Sequence, residues 1–96
     1  MDNLFVVSYD IMNPKRWHKV HRAMKGFGEP LQYSVFVCRL TDQNKVRMLS
    51  ALENLIDSDV DRVMVVNLGP ADGNASDRVT FLGRKEDLPD RKATIV

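Results

Sequence analysis

Leu4-Phe5-Val6-Val7-Ser8-Tyr9-Asp10 decides how the rest of the chain is read. Four apolar residues, two of them β-branched, run into a serine, a tyrosine and a carboxylate. The run is too brief for a helix, and the turn-prone Met12-Asn13-Pro14 closes it. It therefore predicts a central strand covered on both faces. Alternation places Phe5, Val7 and Tyr9 on one face and Leu4, Val6, Ser8 and Asp10 on the other. Asp10 then stands at the carboxyl end of an apolar strand. A lone charge is expensive there unless water, a donor or a cation meets it.

Beyond the strand, Asn13-Pro14 reads as a helix start, with asparagine as the N-cap and proline in the first helical position. Trp17, Val20, Met24 and Phe27 follow at helical spacing and form one apolar stripe. Lys15, Arg16, Lys19 and Arg22 fall away from it and predict a solvated basic surface. No acidic residue occurs between positions 11 and 28, where both histidines, His18 and His21, also lie. One segment is thus basic in a chain of net charge +1. Gly26 or Gly28 is expected to end the helix in a left-handed conformation, and Pro30 keeps it from resuming.

Residues 31–40 are rich in β-formers and carry no helical stripe. They read as one long strand or as two short ones bent near Ser34. Thr41 or Asp42 caps a second helix with Met48, Leu49, Leu52, Leu55 and Ile56 on its buried side. Residues 62–68 form the next strand, ended by Gly69-Pro70 and by Asp72-Gly73-Asn74. Residues 79–83 read as a short strand. A charged connector then leads to the apolar Ala93-Thr94-Ile95-Val96.

With the middle run bent, this order is an α+β, ferredoxin-like β-α-β-β-α-β arrangement with an extra C-terminal strand. Two helices cover only one face of such a sheet. The opposite face stays apolar, so a second copy of the chain is expected against it, as a homodimer. The terminal tetrapeptide is expected to extend a neighbouring subunit's sheet.

The chain has 96 residues, 44% hydrophobic and 28% charged, which fits a single folded domain over 1–96 and excludes a disordered chain. No apolar run approaches the ~18 residues of a membrane helix. Met1-Asp2-Asn3 lacks a basic leader, so the expected compartment is the cytoplasm. A single cysteine, Cys38, closes no internal disulfide and reads as a small buried hydrophobe. Phosphate-loop, HExxH and Ser/Cys–His signatures do not occur, which leaves nucleotide hydrolysis, zinc proteolysis and acyl transfer unsupported.

Asp10 has two readings. In one it is a turn aspartate whose carboxylate accepts nearby backbone N–H groups. In the other it is a hard-metal ligand, and a symmetric dimer pairs two such carboxylates around a cation. Periodicity alone gives Tyr9 and Phe36 to the core and Arg16 to the solvated helix face. His18 and His21, three apart on one helix face, read as exposed histidines or as ligands for metal or phosphate.

These residues also resemble a known family. Tyr9-Asp10-Ile11 closes the first strand, and Lys15-Arg16 and Lys19-Val20-His21-Arg22 lie in the first helix. Gly26-Phe27-Gly28, Gln32-Tyr33-Ser34-Val35-Phe36, Asp61-Arg62-Val63 and Asn67-Leu68-Gly69-Pro70 follow. Together they resemble Cas2, the small CRISPR-associated adaptation protein. The resemblance implies a bend in 31–40 and a homodimer that exchanges its C-terminal segment, 82–96, between subunits. It implies a metal-dependent endonuclease acting on RNA or DNA. It also implies a dimeric centre for the CRISPR integrase, Cas1, in spacer acquisition, with duplex DNA or single-stranded RNA as the nucleic acid. Asp10 takes the family's metal-ligand position, for Mg²⁺. Tyr9, Arg16, Ser34 and Phe36 match positions around the cleft between subunits and complete the candidate catalytic set. Lys15, Arg16, Lys19 and Arg22 are the candidate nucleic-acid contacts. This chain departs from the family's usual charges at Val37, His18 and Pro30-Leu31. The alternative is a stand-alone toxin-like ribonuclease, or a ferredoxin-like regulatory module without nuclease activity.

Overall fold

The computed structural model describes residues 1–84. The opening apolar run is strand β1, Asn3–Asp10, and it lies inside a four-stranded sheet. Helix α1 spans Pro14–Met24, β2 Glu29–Gln32, β3 Val35–Leu40, α2 Asp42–Glu53 and β4 Arg62–Pro70. The strands run in the order β2-β3-β1-β4, every pair antiparallel, which is the ferredoxin-like split arrangement. Among the described residues no helix is long and apolar enough to cross a membrane.

Local chemistry sets the element ends. The Asn13 side chain accepts from the backbone N–H of Lys15 and of Arg16, at 2.9 and 3.1 Å, and Pro14 opens α1. Thr41 rather than Asp42 caps α2, its hydroxyl accepting from Asn44 N–H at 3.1 Å. The run 31–40 bends at Tyr33-Ser34, as the two-strand reading requires. Pro30 sits on β2, an edge strand, where a missing N–H is tolerated.

The odd-numbered face of β1 carries the main core. Phe5, Val7 and Tyr9 pack with Phe36, Cys38 and Leu40 of β3, Val20 and Met24 of α1, and Met48 and Leu52 of α2. Each fully buried large side chain of this set contributes about 1.5–3 kcal/mol of transfer free energy. Leu49, expected on the buried stripe of α2, is 40% exposed. Leu55 and Ile56 lie beyond the last helical residue and still pack against the core.

The opposite face is not left wholly bare. Leu4 and Val37 are sealed by the chain's own return segment, with Leu68, Ala71 and Ala75 in the same cluster and Val79 against it. Ala71 N–H donates to the Asp2 carbonyl at 2.9 Å, and Arg39 spans Asp2 and Asp72 at 3.0 and 3.1 Å. The expectation that a partner must cover this whole face is therefore corrected. What remains open is the β4 side, where Met64 is 57% and Val66 40% exposed. The strand expected at 79–83 does not form: a 3₁₀ turn, Ala75–Arg78, leads into irregular chain. The terminal strand expected at 93–96 lies outside the described residues, as does most of the segment 82–96.

Neither Gly26 nor Gly28 adopts a left-handed conformation. Helix α1 ends by tightening, Phe27 N–H and Gly28 N–H both donating to the Met24 carbonyl at 2.9 and 3.0 Å. Gly28 is needed for space instead. A Cβ there would stand 2.6 Å from the Cys38 sulfur and nearer still to the Val37 carbonyl oxygen.

One carboxylate joins the turn after β1 to the turn before β4. Asp61 accepts from Arg16 Nε at 2.7 Å and Arg16 Nη2 at 3.1 Å, and from the N–H of Met12 at 3.0 Å and of Asp57 at 2.8 Å. Its side chain is shut off from solvent while Arg16 stays partly exposed. The Arg16 hydrogen bond, reinforced by the two backbone donors, outweighs burial and holds the carboxyl well below its ordinary range.

Gly28→Ala should lower stability by about 1–3 kcal/mol in chemical denaturation, because the backbone of β3 cannot yield as a side chain would. Unchanged stability would mean that β2 and β3 part freely at that point. The Asp61 pKa is depressed on folding, so its contribution is complete above the ordinary carboxyl value of 3.8 and is lost as the pH falls below it. Asp61→Asn should therefore lower the melting temperature at neutral pH and flatten the acid limb of the stability profile. Parallel profiles for the two proteins would contradict the assignment.

Candidate active site

The ends of β1 and α1 and the Tyr33-Ser34 turn converge on a cleft of about 260 Å³. Tyr9, Asp10, Trp17, His18, Tyr33 and Ser34 are among its walls. A second hollow, of about 510 Å³, opens on the other side of Asp10 against Ser8, Arg62, Val63 and Met64. Asp10 is thus the one residue lining both. The alternation of β1 put it on the face away from the helices, and the strand end carries it into solvent.

The Asp10 carboxylate is 70% exposed and, among the described residues, meets only the Arg62 guanidinium, at 3.9 Å. That pair faces it across the β1–β4 ladder and is too long and too wet to hold the acid firmly. No backbone N–H of the described residues claims it. The turn-aspartate reading describes Asp61, not Asp10. An exposed hard oxygen donor at a strand end fits a Mg²⁺-type cation, which commonly takes one or two carboxylates and keeps several waters. Among the described residues no group of three or more His, Cys, Asp or Glu side chains comes together. A cation at Asp10 would need further oxygen ligands from water, substrate or a second chain.

The remaining members of the candidate set separate by role. Tyr9 is buried, and its hydroxyl shares a 2.7 Å hydrogen bond with His21 Nδ1, the donor following the imidazole tautomer. Burial, then the neighbouring Tyr33, push the Tyr9 phenol up to about 12, so it stays protonated at neutral pH. Burial, then Lys25 and His18, lower the His21 pKa and favour its neutral ring. Ser34 is a brace: its carbonyl accepts from Tyr9 N–H at 3.0 Å and its hydroxyl from Trp17 Nε1 at 2.9 Å. Phe36 is fully buried, against Tyr9 and His21. Arg16 is engaged by Asp61 rather than spread over a solvated basic face. Burial also pushes the Cys38 thiol up to about 12, which removes it as a nucleophile.

Lys15, Lys19 and Arg22 are exposed on α1, at i, i+4 and i+7, and so form one stripe opposite Val20 and Met24. His18, exposed on the same helix, also lines the cleft. Periodicity missed three residues that shape the site. His21 is half-buried, not solvated; Asp61 clasps Arg16; and Tyr33 lies flat on Trp17. Tyr33 stood inside the Gln32–Phe36 motif, and that was the only signal for it.

The family profile described as CRISPR associated protein Cas2 matches residues 3–74. A protein of Rhodospirillum rubrum named CRISPR-associated endoribonuclease Cas2 1 is 42% identical over 95 residues, covering 99% of this chain and 92% of its own. A Geobacter sulfurreducens protein named CRISPR-associated endoribonuclease Cas2 is 40% identical over 96 residues, covering both chains in full. The crystal structure of Streptococcus pyogenes Cas2 superposes with a TM-score of 0.74 at 30% identity, over 83% of this chain and 99% of that one. Sequence match and fold agree: the chain belongs to the CRISPR-associated Cas2 family.

Proposed function

We propose that this chain acts on nucleic acid in CRISPR adaptation, as a homodimer that holds duplex DNA or single-stranded RNA and cleaves phosphodiesters at Asp10. The observation that carries the reading is the state of Asp10. Asp61, the other acid at this junction, is enclosed by its donors, while Asp10 is exposed between two hollows with a loose cationic neighbour, Arg62. The endoribonuclease names of the Rhodospirillum and Geobacter relatives support the chemistry.

The residues of this chain divide the work. Lys15, Lys19 and Arg22 meet phosphates and position the strand without reading its sequence. Asp10 holds the divalent cation, Mg²⁺, which when bound supplies Lewis acidity toward a phosphodiester and lowers the pKa of water. Arg62, 3.9 Å from Asp10, tempers the carboxylate's charge while the cation is away. Tyr9, Ser34 and Arg16 act as positioning residues: Tyr9 and Ser34 fix the strand end, and Arg16 fixes the turn behind it. The dimer brings a second Asp10 to the cation through the open Met64–Val66 side of the sheet. Family membership further supports a place at the centre of a complex with the integrase Cas1, which would carry out spacer insertion while this dimer holds the duplex.

Asp10→Ala should reduce Mg²⁺-dependent cleavage by roughly a hundredfold or more while leaving the melting temperature unchanged, because the side chain is exposed. Full activity in that variant, or activity indifferent to a chelator, would reject the site. Replacing Lys19 and Arg22 together by Ala should weaken duplex binding at every sequence. It should also reduce the slope of log affinity against log salt by about two per chain. An unchanged slope would remove α1 from the interface.

A further inference from the structure

Tyr33 lies in the two-residue turn between β2 and β3, and it is 76% exposed. An aromatic side chain so open to water would ordinarily sample several orientations. This one is laid flat on Trp17, ring centroids 4.5 Å apart and planes 13° from parallel. Trp17 in turn stacks on His21 at 4.5 Å and 14°. The three rings form a column braced from the core. His21 is bonded to the Tyr9 hydroxyl at 2.7 Å, and Trp17 Nε1 is bonded to Ser34 at 2.9 Å. The inner face of Tyr33 is occupied by Trp17, and its outer face is left to solvent.

The surroundings narrow the occupant of that outer face. Tyr33 and Asp10 line the same cleft, which at about 260 Å³ falls below the roughly 300–1,000 Å³ of enclosed small-molecule sites. A flat group laid against one wall suits it better than an engulfed ligand. His18 lines the same wall, and the helix that carries it presents Lys15, Lys19 and Arg22. A cationic track beside an open aromatic face is the arrangement by which proteins hold single strands, because every base has a π-face and every linkage a phosphate. Bases inside a duplex are already stacked and have no free face to offer.

We propose that Tyr33 is a stacking platform for one unpaired nucleobase, pre-oriented by the Trp17–His21 column, so that the strand bearing that base crosses Asp10. The assignment rests on the nucleic-acid reading above and adds a preference for single-stranded segments at the cleft. Trp17 and His21 support the platform from behind and do not touch the base.

The test uses the full chain at low salt with a chelator present, so that binding is read without cleavage. Fluorescence anisotropy compares a short single-stranded RNA with a duplex DNA of equal length. The proteins are the wild type, Tyr33→Ala, Tyr33→Phe and the Lys19→Ala/Arg22→Ala variant. Tyr33→Ala should weaken single-strand binding about tenfold and leave duplex binding unchanged, while Tyr33→Phe keeps the ring and the affinity. Since the side chain is largely exposed, the fold is expected to survive, and circular dichroism checks it. Single-strand affinity unchanged in Tyr33→Ala, with binding still lost in the Lys19/Arg22 variant, would overturn the platform and leave the nucleic-acid reading standing. Equal losses on both ligands in Tyr33→Ala would also overturn it. If the wild type binds neither ligand, platform and parent reading fall together.

Discussion

A carboxylate without water must have its hydrogen bonds supplied by the protein, and in this molecule that demand is met at Asp61. Two backbone amides and both arms of the Arg16 fork converge on it. The donors come from the turn leaving β1, from the first turn of α1 and from the turn before β4. A single side chain therefore fixes how the first strand hands over to the first helix. Asp10 stands immediately before that junction, so its place at the lip of the cleft is set by an acid far away in the chain.

The contrast between the two aspartates separates structure from chemistry. Asp61 is shut off from solvent and held ionised by its donors, so it has nothing left to offer a ligand. Asp10 is exposed and only loosely paired with Arg62. Behind it, the Tyr9–His21 pair and the Trp17–Ser34 bond leave the wall of the cleft little freedom. The cleft thus joins a braced wall, one exposed acid and a basic helix face.

Much of this is legible in the residues alone. The apolar run 4–7 identified the inner strand, Asn13-Pro14 the start of α1, and the order of elements the split β-α-β-β-α-β sheet. These signals are local: a cap, a proline or a period of two or 3.6 carries its own meaning. Periodicity reports which face the Arg16 side chain leaves from, not what it meets 45 residues away. The half-burial of His21 is hidden in the same way, since its partner Tyr9 lies on another element. The return segment that seals Leu4 and Val37 was missed because alanines 71 and 75 and Val79 carry no periodic pattern, and a 3₁₀ turn stands in place of the strand expected there. Tyr33 reads in sequence as one more β-former, and only the stack on Trp17 distinguishes it.

Whether Asp10 is the acid that receives a divalent cation can be measured directly. Mn²⁺ added in small steps to the isotopically labelled full chain broadens the NMR signals nearest the bound ion. Broadening that begins at Asp10 and at Ser8, Ile11 and Arg62 around it is the predicted result. Broadening that begins at Asp57 and Asp59, or that spreads evenly over all exposed carboxylates, would contradict it.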